Sequence, residues 1–113
     1  MKLIIAVIQP ERLESVMHEL DAVEVHLRTV SQALGVGRQK GHSEVYRGSR
    51  EVVNLLKKVR LEIAVNEEFV EKAIGAIVKG ARSGNIGDGK IFVLDLPEVV
   101  RIRTGERGTV AIG

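Results

Sequence analysis

The chain has 113 residues, of which 44% are apolar and 28% charged, and its formal net charge at pH 7 is +2. This length predicts a single domain, and the apolar fraction excludes disordered, collagen-like and low-complexity proteins. There is no cysteine, which excludes a disulfide scaffold, a Cys-ligated zinc or iron–sulfur site and a cysteine nucleophile. The aromatic residues Tyr46, Phe69 and Phe92 are too few for typical stacking on single-stranded nucleic acid.

The distribution of apolar residues predicts no membrane span, because no stretch approaches the ~20 apolar residues that a spanning helix needs. The segment Met1–Pro10 has one positive side chain, a short apolar run and no small-residue cleavage site. It is typical of a first strand and not of a signal peptide. We therefore expect a cytoplasmic protein. A net charge of +2 is too small to imply a polyanionic partner.

The first half of the chain predicts a strand, a helix and a second strand. Residues 2–9 are nearly all apolar, which is typical of a buried strand. Pro10 suits the first turn of a helix, whose apolar stripe consists of Leu13, Val16, Met17 and Leu20. Residues 25–34, which include His26, predict the second strand.

The periodic pattern is lost over residues 36–50. This stretch holds three glycines, four Lys or Arg residues and one acidic residue, Glu44. A loop of this length inside a small domain is uncommon and is usually functional or disordered. We place it at about 36–54 within one domain that spans residues 1–113. It is either a docking element or a solvated loop.

The second half repeats the order of the first. Val59–Val65 alternates with period two and predicts a strand, and Asn66 is a plausible helix N-cap. Val70, Ala73, Ile74, Ile77 and Val78 form the next helical stripe. Turn-forming residues 83–89 precede a strand at 90–96, and residues 99–102 suit a short fifth strand.

These elements together predict a βαββαβ chain of the α+β class, the ferredoxin-like sandwich. The two helices would cover one face of the sheet. Strand 2–9 is apolar on both sides, so the other face also needs a cover, and self-association is the simplest one.

Two segments could bind phosphate. Closely spaced glycines let a backbone approach a ligand and point its N–H groups inward, and Gly87-Asp88-Gly89-Lys90 adds a cation. The bend Gly35-Val36-Gly37-Arg38 has the same character. The alternative for Gly87–Lys90 is a simple tight turn.

Arg101 and Arg103 alternate along an extended segment, and paired arginines suit a triphosphate. The alternative is a charged, solvated edge strand. Glu62 points outward in its strand, which suits a surface carboxylate that pairs with a nearby cation such as Lys58 or Arg60. The three histidines show no metal-ligand spacing. No nucleophile–base set stands out, which argues against a dedicated enzyme.

Three segments carry a family resemblance. Residues 35–48 (GVGRQKGHSEVYRG), 83–93 (SGNIGDGKIFV) and 99–106 (VVRIRTGE) closely resemble the PII nitrogen-regulatory signal-transduction proteins, and the likeness runs from end to end. The resemblance implies a homotrimer of ferredoxin-like subunits with ATP or ADP in clefts between subunits. It implies a nucleotide site made of Val7, Thr29, Gly35, Gly37, Arg38, Glu62, Ile63, Ala64, Gly87, Asp88, Gly89, Lys90, Arg101 and Arg103, the two arginines reaching in from the adjoining subunit.

The resemblance also implies that 2-oxoglutarate binds beside Mg-ATP. Gln39 would ligate Mg²⁺ through its amide oxygen, and Lys58 would pair with a carboxylate of the acid. Lys40, Gly41 and Gly87 would complete that site. The long loop would dock to partners through Tyr46, Arg47 and Gly48, an ammonium transporter among them, so that contact with a membrane is indirect.

Some residues depart from the family pattern. Glu51 stands where many bacterial members carry a tyrosine that accepts a uridylyl group, so uridylylation there is not possible. Ser49 matches a serine that is phosphorylated in cyanobacterial-type members, but its Arg50-Glu51 context differs, and we expect no covalent switch. Gln9 replaces a frequent lysine, Leu27 a frequent glycine and Val36 a bulky aromatic residue.

Several functions stay open. The first is a non-enzymatic sensor of ATP, ADP and 2-oxoglutarate that regulates nitrogen metabolism. The second is a nucleotide-dependent relative that responds to another small anion, such as bicarbonate, and acts on a different partner. A slow ATPase would be a side activity. Nucleic-acid binding through the basic loop is disfavoured by the low aromatic content and the small net charge.

Overall fold

The computed structural model of the protein describes residues 1–36 and 54–113. Their strands and α-helices, in chain order, are β1 (Lys2–Ile8), α1 (Leu13–Ala22), β2 (Thr29–Val36), β3 (Leu55–Val65), α2 (Glu67–Ala81) and β4 (Gly89–Asp95). The sheet has the order β2-β3-β1-β4, and every neighbouring pair is antiparallel. The predicted ferredoxin-like α+β sandwich is confirmed. The predicted loop falls almost entirely outside the described residues.

The central strand β1 has one face against the helices and one face away from them. Ile4, Ala6 and Ile8 are buried in the core, as period-two alternation requires. On β3 the buried residues Val59, Leu61, Ile63 and Val65 lie on the same face. The core therefore sits between these two strands and the helical layer.

The helices contribute the apolar stripes that the sequence predicts. Val16 and Leu20 of α1 are buried, as are Ala73 and Ile77 of α2. The helices cross closely at Gly80, where an added Cβ would lie 2.7 Å from the Cα of Val16. Neither α1 nor α2 combines the length and the apolar composition that a membrane-crossing helix requires.

The predicted second strand, 25–34, was wrong at its start, because β2 begins only at Thr29. Residues 23–28 instead form a connection that returns the chain from α1. The N–H of Val25 donates to the carbonyl of Leu20 at 2.9 Å, and the Arg28 guanidinium donates to Asp21 and to the carbonyl of Val25. His26 consequently lies in this connection and not in a strand.

Three further expectations need correction. Pro10 opens a 3-10 turn, Pro10–Arg12, and not α1 itself. Asn66 occupies the N-cap position of α2 but makes no side-chain capping hydrogen bond, and its amide group donates to the carbonyl of Thr109 at 3.2 Å. Residues 99–102 form no fifth strand, because Val100 makes only an isolated bridge with Arg107.

The sheet face opposite the helices carries apolar side chains of β1 and β4 that the described residues leave partly exposed. Phe92 and Leu94 of β4 are 50% and 47% exposed. Their antiparallel partners on β1 are Ile5 and Leu3, so the four side chains share this face. This agrees with the expectation that both sides of β1 need a cover.

The helix crossing at Gly80 generates a stability prediction. Gly80→Ala should lower the free energy of unfolding by about 1–3 kcal/mol, because its methyl group would press on the α1 backbone. Gly75 of the same helix is the control, since an added Cβ there meets nothing within 4 Å. Gly75→Ala should raise stability by about 0.5–1 kcal/mol. Urea unfolding measures both variants, and equal effects would contradict the close crossing.

The α1–β2 connection generates a prediction about pH. Hydrogen bonds from Arg28 and then His26 lower the pKa of Asp21 from 3.8 to about 2. The folded state therefore favours the carboxylate, and this stabilisation is complete above the ordinary pKa and is lost as the pH falls through about 2. Asp21→Asn should destabilise the protein at neutral pH and progressively less in acid.

Urea midpoints measured across that pH range test this. The control is Glu14→Gln on the same helix, because Glu14 forms no ion pair within the part of the chain that the structure describes. A wild-type advantage over Asp21→Asn that stays constant down to acid pH would show that the carboxylate contributes nothing through its charge.

Candidate functional site

The turn between α2 and β4 is organised by Asp88. Its carboxylate accepts hydrogen bonds from the N–H groups of Ser83 at 2.7 Å and Gly84 at 2.9 Å, and from the Ser83 hydroxyl. The Ser83 hydroxyl and these two N–H groups hold the pKa of Asp88 below its ordinary value. Asp88 therefore serves the turn through its side chain and could meet a phosphate only through its main chain.

Two glycines of this turn have backbones that other residues rarely adopt. Gly87 has φ +101° and Gly89 φ +116°, in the left-handed region that favours glycine. Gly89 also lies against β1, where an added Cβ would sit 1.9 Å from the carbonyl oxygen of Val7. The sequence Gly87–Lys90 thus brings bare backbone to the end of the sheet, beside the exposed Lys90.

Two side chains converge on the carbonyl of Gly87. The amide nitrogen of Gln9 donates to this oxygen at 2.7 Å, and the Lys58 ammonium lies 3.5 Å from it. No carboxylate of residues 1–36 or 54–113 forms an ion pair with Lys58. Within the described part of the chain, the Lys58 charge therefore has no acidic counterion.

Gly35 belongs to the same end of the sheet. It pairs with Leu56 across β2 and β3, and its Cα region packs against the Lys58 side chain, whose Cγ would lie 3.5 Å from an added Cβ. The structure thus brings together a glycine-turn group at one end of the sheet, made of Val7, Gly35, Lys58, Gly87, Gly89 and Lys90.

The remaining described candidates lie towards the other end. Thr29 pairs with Glu62, and Ala64 pairs with Leu3. Ile63 is 1% exposed and points into the core, so only its main chain could meet a ligand. Glu62 lies 3.7 Å from the Arg60 guanidinium, which is the surface pairing that the sequence left open.

Arg101 also belongs to this second end. Its guanidinium pairs with Glu106 and donates to the carbonyls of Val110 and Gly113, both at 2.7 Å. Gly113 lines the same cleft as Leu27 and Ala64. We call Thr29, Glu62, Ala64 and Arg101 the far-end group. Arg103 is exposed and has no polar partner within the described part of the chain.

The two groups are separated along β1. Gly89 pairs with Ile8, whereas Ala64 pairs with Leu3, five residues away. At about 3.4 Å per residue this is roughly 17 Å. Arg101 and Lys90 of one chain therefore do not face a common phosphate position. Lys58, the predicted acid-binding lysine, contacts two predicted nucleotide residues, since it packs against Gly35 and its ammonium lies 3.5 Å from the Gly87 carbonyl oxygen.

Part of the predicted site lies beyond the ranges 1–36 and 54–113. Nine candidates lie outside the described residues, namely Gly37, Arg38, Gln39, Lys40, Gly41, Tyr46, Arg47, Gly48 and Ser49. One contributor was missed by sequence reasoning, which recorded Gln9 only as a departure from the family pattern. Its contact joins residues 78 positions apart, and no local pattern signals such a contact.

Comparison with known proteins identifies the family of the chain. The family model for "Nitrogen regulatory protein P-II" matches residues 1–106. The chain belongs to the P-II family. It is 53% identical to "Nitrogen regulatory protein GlnK1" of Methanosarcina mazei, with 99% of this chain and 97% of the relative covered. It is 52% identical to "Nitrogen regulatory protein P-II" of Azospirillum brasilense, with 99% and 100% covered.

Family membership confirms the resemblance that the sequence motifs indicated. A third relative, "Nitrogen regulatory protein P-II 2" of Methanothermobacter thermautotrophicus, is 50% identical, again with 99% of this chain and 97% of the relative covered. P-II proteins are regulatory signal transducers and not enzymes. This P-II chain is accordingly a nitrogen regulatory signalling protein.

The close approach of the glycine turn to β1 generates a prediction. Gly89→Ala should lower the free energy of unfolding by about 3 kcal/mol or more, because its methyl group collides with a strand backbone. Gly84→Ala is the control, since Gly84 has φ +91° but open space around it. That variant should lose only the left-handed strain of about 1–2 kcal/mol. Urea unfolding compares them, and equal losses would show that β4 tolerates displacement.

Proposed function

We propose that this P-II protein is a homotrimeric sensor of ATP, ADP and 2-oxoglutarate in the cytoplasm. Its long loop would report the ligand state to partners of nitrogen metabolism, an ammonium transporter among them. The observation that carries the proposal is the position of Lys58. Its ammonium has no acidic partner among the described residues and lies 3.5 Å from Gly87, in the turn proposed to bind phosphate.

The glycine-turn group suits the phosphates of a nucleotide. Gly87 and Gly89 carry no side chain, so a ligand can approach the main chain closely. Lys90 supplies a cation at the start of β4. The Asp88 carboxylate accepts hydrogen bonds from N–H groups of its own turn, so its negative charge is used there. Bound Mg²⁺ would neutralise charge between the triphosphate and the dianionic acid, with Gln39 as its proposed protein ligand.

A site that is completed by a second copy explains the two separated groups. Thr29, Glu62 and Ala64 would line the adenine, and Arg101 with Arg103 would reach phosphates held by the glycine turn of a neighbouring subunit. The uncovered face that carries Phe92 and Leu94 supplies an apolar surface of the kind that subunits bury against each other. These two features support the trimer together.

The proposed output is a shift in the population of loop states. A ligand shifts a conformational equilibrium only by its differential affinity for the two states. The loop begins directly after β2 and ends directly before β3, so Gly35 and Lys58 stand near its two ends. Docking would use Tyr46, Arg47 and Gly48, and Ser49 is the remaining candidate for modification.

The second candidate is a P-II relative that senses a different small anion, such as bicarbonate, for a non-nitrogen partner. The Lys58 ammonium, which has no acidic partner among the described residues, favours an anion without selecting between 2-oxoglutarate and bicarbonate. A slow ATPase activity would be secondary in either case.

Calorimetric titration of 2-oxoglutarate, first with Mg-ATP and then with ADP, tests the proposal. We expect binding only with Mg-ATP. Lys58→Met should weaken acid binding by about 100-fold or more, because it removes a charged partner, while ADP affinity stays within about threefold.

The control variant is Lys57→Met. Lys57 pairs with Leu34 and so projects to the opposite face of β3 from Lys58. It should bind the acid as wild type does. Nucleotide binding without any effect of 2-oxoglutarate would favour the second candidate, and a bicarbonate titration would then decide it. Absence of nucleotide binding would reject both.

A further inference from the structure

The 3-10 turn after β1 holds the glycine turn from one side. Gln9 donates to the carbonyl of Gly87 at 2.7 Å, and Arg12 donates to the carbonyl of Arg82 at 3.2 Å. The contact with Gln9 is close, because a Cβ added to Gly87 would lie 3.1 Å from the Gln9 amide nitrogen. Two side chains of one short segment thus hold both ends of the turn.

The hydrogen bond from Gln9 fixes a peptide plane. The carbonyl of Gly87 and the N–H of Asp88 belong to one planar unit. Holding the oxygen toward Gln9 therefore sets the direction of that N–H. Because Gly87 has φ +101°, its backbone has few steric limits of its own, and an external anchor is needed to select one orientation.

Lys58 approaches the same oxygen. Its ammonium lies 3.5 Å away, at the outer limit of a hydrogen bond, whereas the Gln9 amide is at 2.7 Å. Because the neutral amide of Gln9 makes the shorter hydrogen bond to this carbonyl, the Lys58 ammonium keeps its donors for another acceptor. Without that amide, the half-buried Lys58 ammonium would move in to satisfy the carbonyl.

We propose that Gln9 is a positioning residue of the anion site: it holds the carbonyl of Gly87 and thereby leaves the Lys58 ammonium free for a carboxylate ligand. This deepens the proposed function and rests on it for the identity of the acid. The effect should fall on the acid more than on the nucleotide, because Gln9 acts through Lys58.

The test compares three variants at position 9 with the intact protein. Gln9→Leu keeps similar volume and removes the donor, and Gln9→Glu replaces the donor with an acceptor. Both should weaken 2-oxoglutarate binding in Mg-ATP, by roughly three- to tenfold for Gln9→Leu and by more for Gln9→Glu. ADP affinity should change by less than about twofold. Gln9→Lys restores a donor and should retain acid binding.

Glu11→Leu is the matched control on the same segment. Glu11 is exposed and has no polar partner within the described residues, so this variant should bind the acid as wild type does. A coupling measurement adds a readout that general destabilisation would not move. In a Lys58→Met background, Gln9→Leu should cause no further loss of acid binding.

A crystal structure of the ligand-free Gln9→Leu protein separates this inference from the proposed function. The expected result is a Lys58–Gly87 contact shortened to ordinary hydrogen-bond length. If the wild type binds no 2-oxoglutarate, the proposed function fails, and the shortened contact alone still supports the role of Gln9. An unchanged contact, or acid binding equal to that of Glu11→Leu, would overturn the inference.

Discussion

The approach of Gly89 to β1 constrains everything that the glycine turn can do. An added Cβ would stand 1.9 Å from the Val7 carbonyl, so β4 can enter the sheet at this register only through glycine. The register in turn places Lys90 opposite Val7 and Gly89 opposite Ile8. Gln9 follows that strand directly, which is why its amide reaches Gly87. One steric contact therefore sets the positions of the cation, the bare backbone and the anchor.

The sheet imposes a second constraint, because one of its faces is covered by the helices and the other is partly exposed. Ile4, Ala6 and Ile8 are covered by the helices, but the opposite face carries Phe92 and Leu94 half exposed. Burying such a face in a homo-oligomer brings the ends of different chains together. The same association would cover the apolar surface and unite the glycine-turn group with a far-end group. Assembly and ligand binding are then one property of the sheet.

Local rules were enough to predict most of the fold. Three patterns are confirmed, and each is visible in the local sequence alone. They are the apolar run 2–9, the helical stripes through Val16 and Ile77, and the alternation over 59–65. Errors arose where a long-range contact outweighed the local pattern. The hydrogen bond from Arg28 to Asp21 holds residues 23–28 against the end of α1. As a result, β2 begins later than its sequence pattern predicts. Asn66 turns from its helix to Thr109, and Val100 finds only a single bridge partner.

The candidate site divides in the same way. The glycines and Lys90 were predicted because a turn needs them in consecutive positions. The nearness of Lys58 to Gly87, and the use of the Asp88 carboxylate inside its own turn, depend on tertiary packing. Even Ile63, which the family resemblance placed in the nucleotide site, proves to have its side chain in the core. Side-chain direction on a strand follows from register, and register is a property of the whole sheet.

The contacts around Gly87 explain how few charges the proposed anion site would need. The Asp88 carboxylate accepts hydrogen bonds from Ser83 and Gly84 within the turn. The neutral amide of Gln9 donates to the Gly87 carbonyl. Lys58 is left with a charge that nothing nearby in the described chain neutralises. If that charge is used only when nucleotide and acid are both bound, the two ligands are coupled. Such coupling is reciprocal. Under the proposed function, a partner that docks to the ADP-bound protein would therefore weaken acid binding by the factor by which the acid weakens docking.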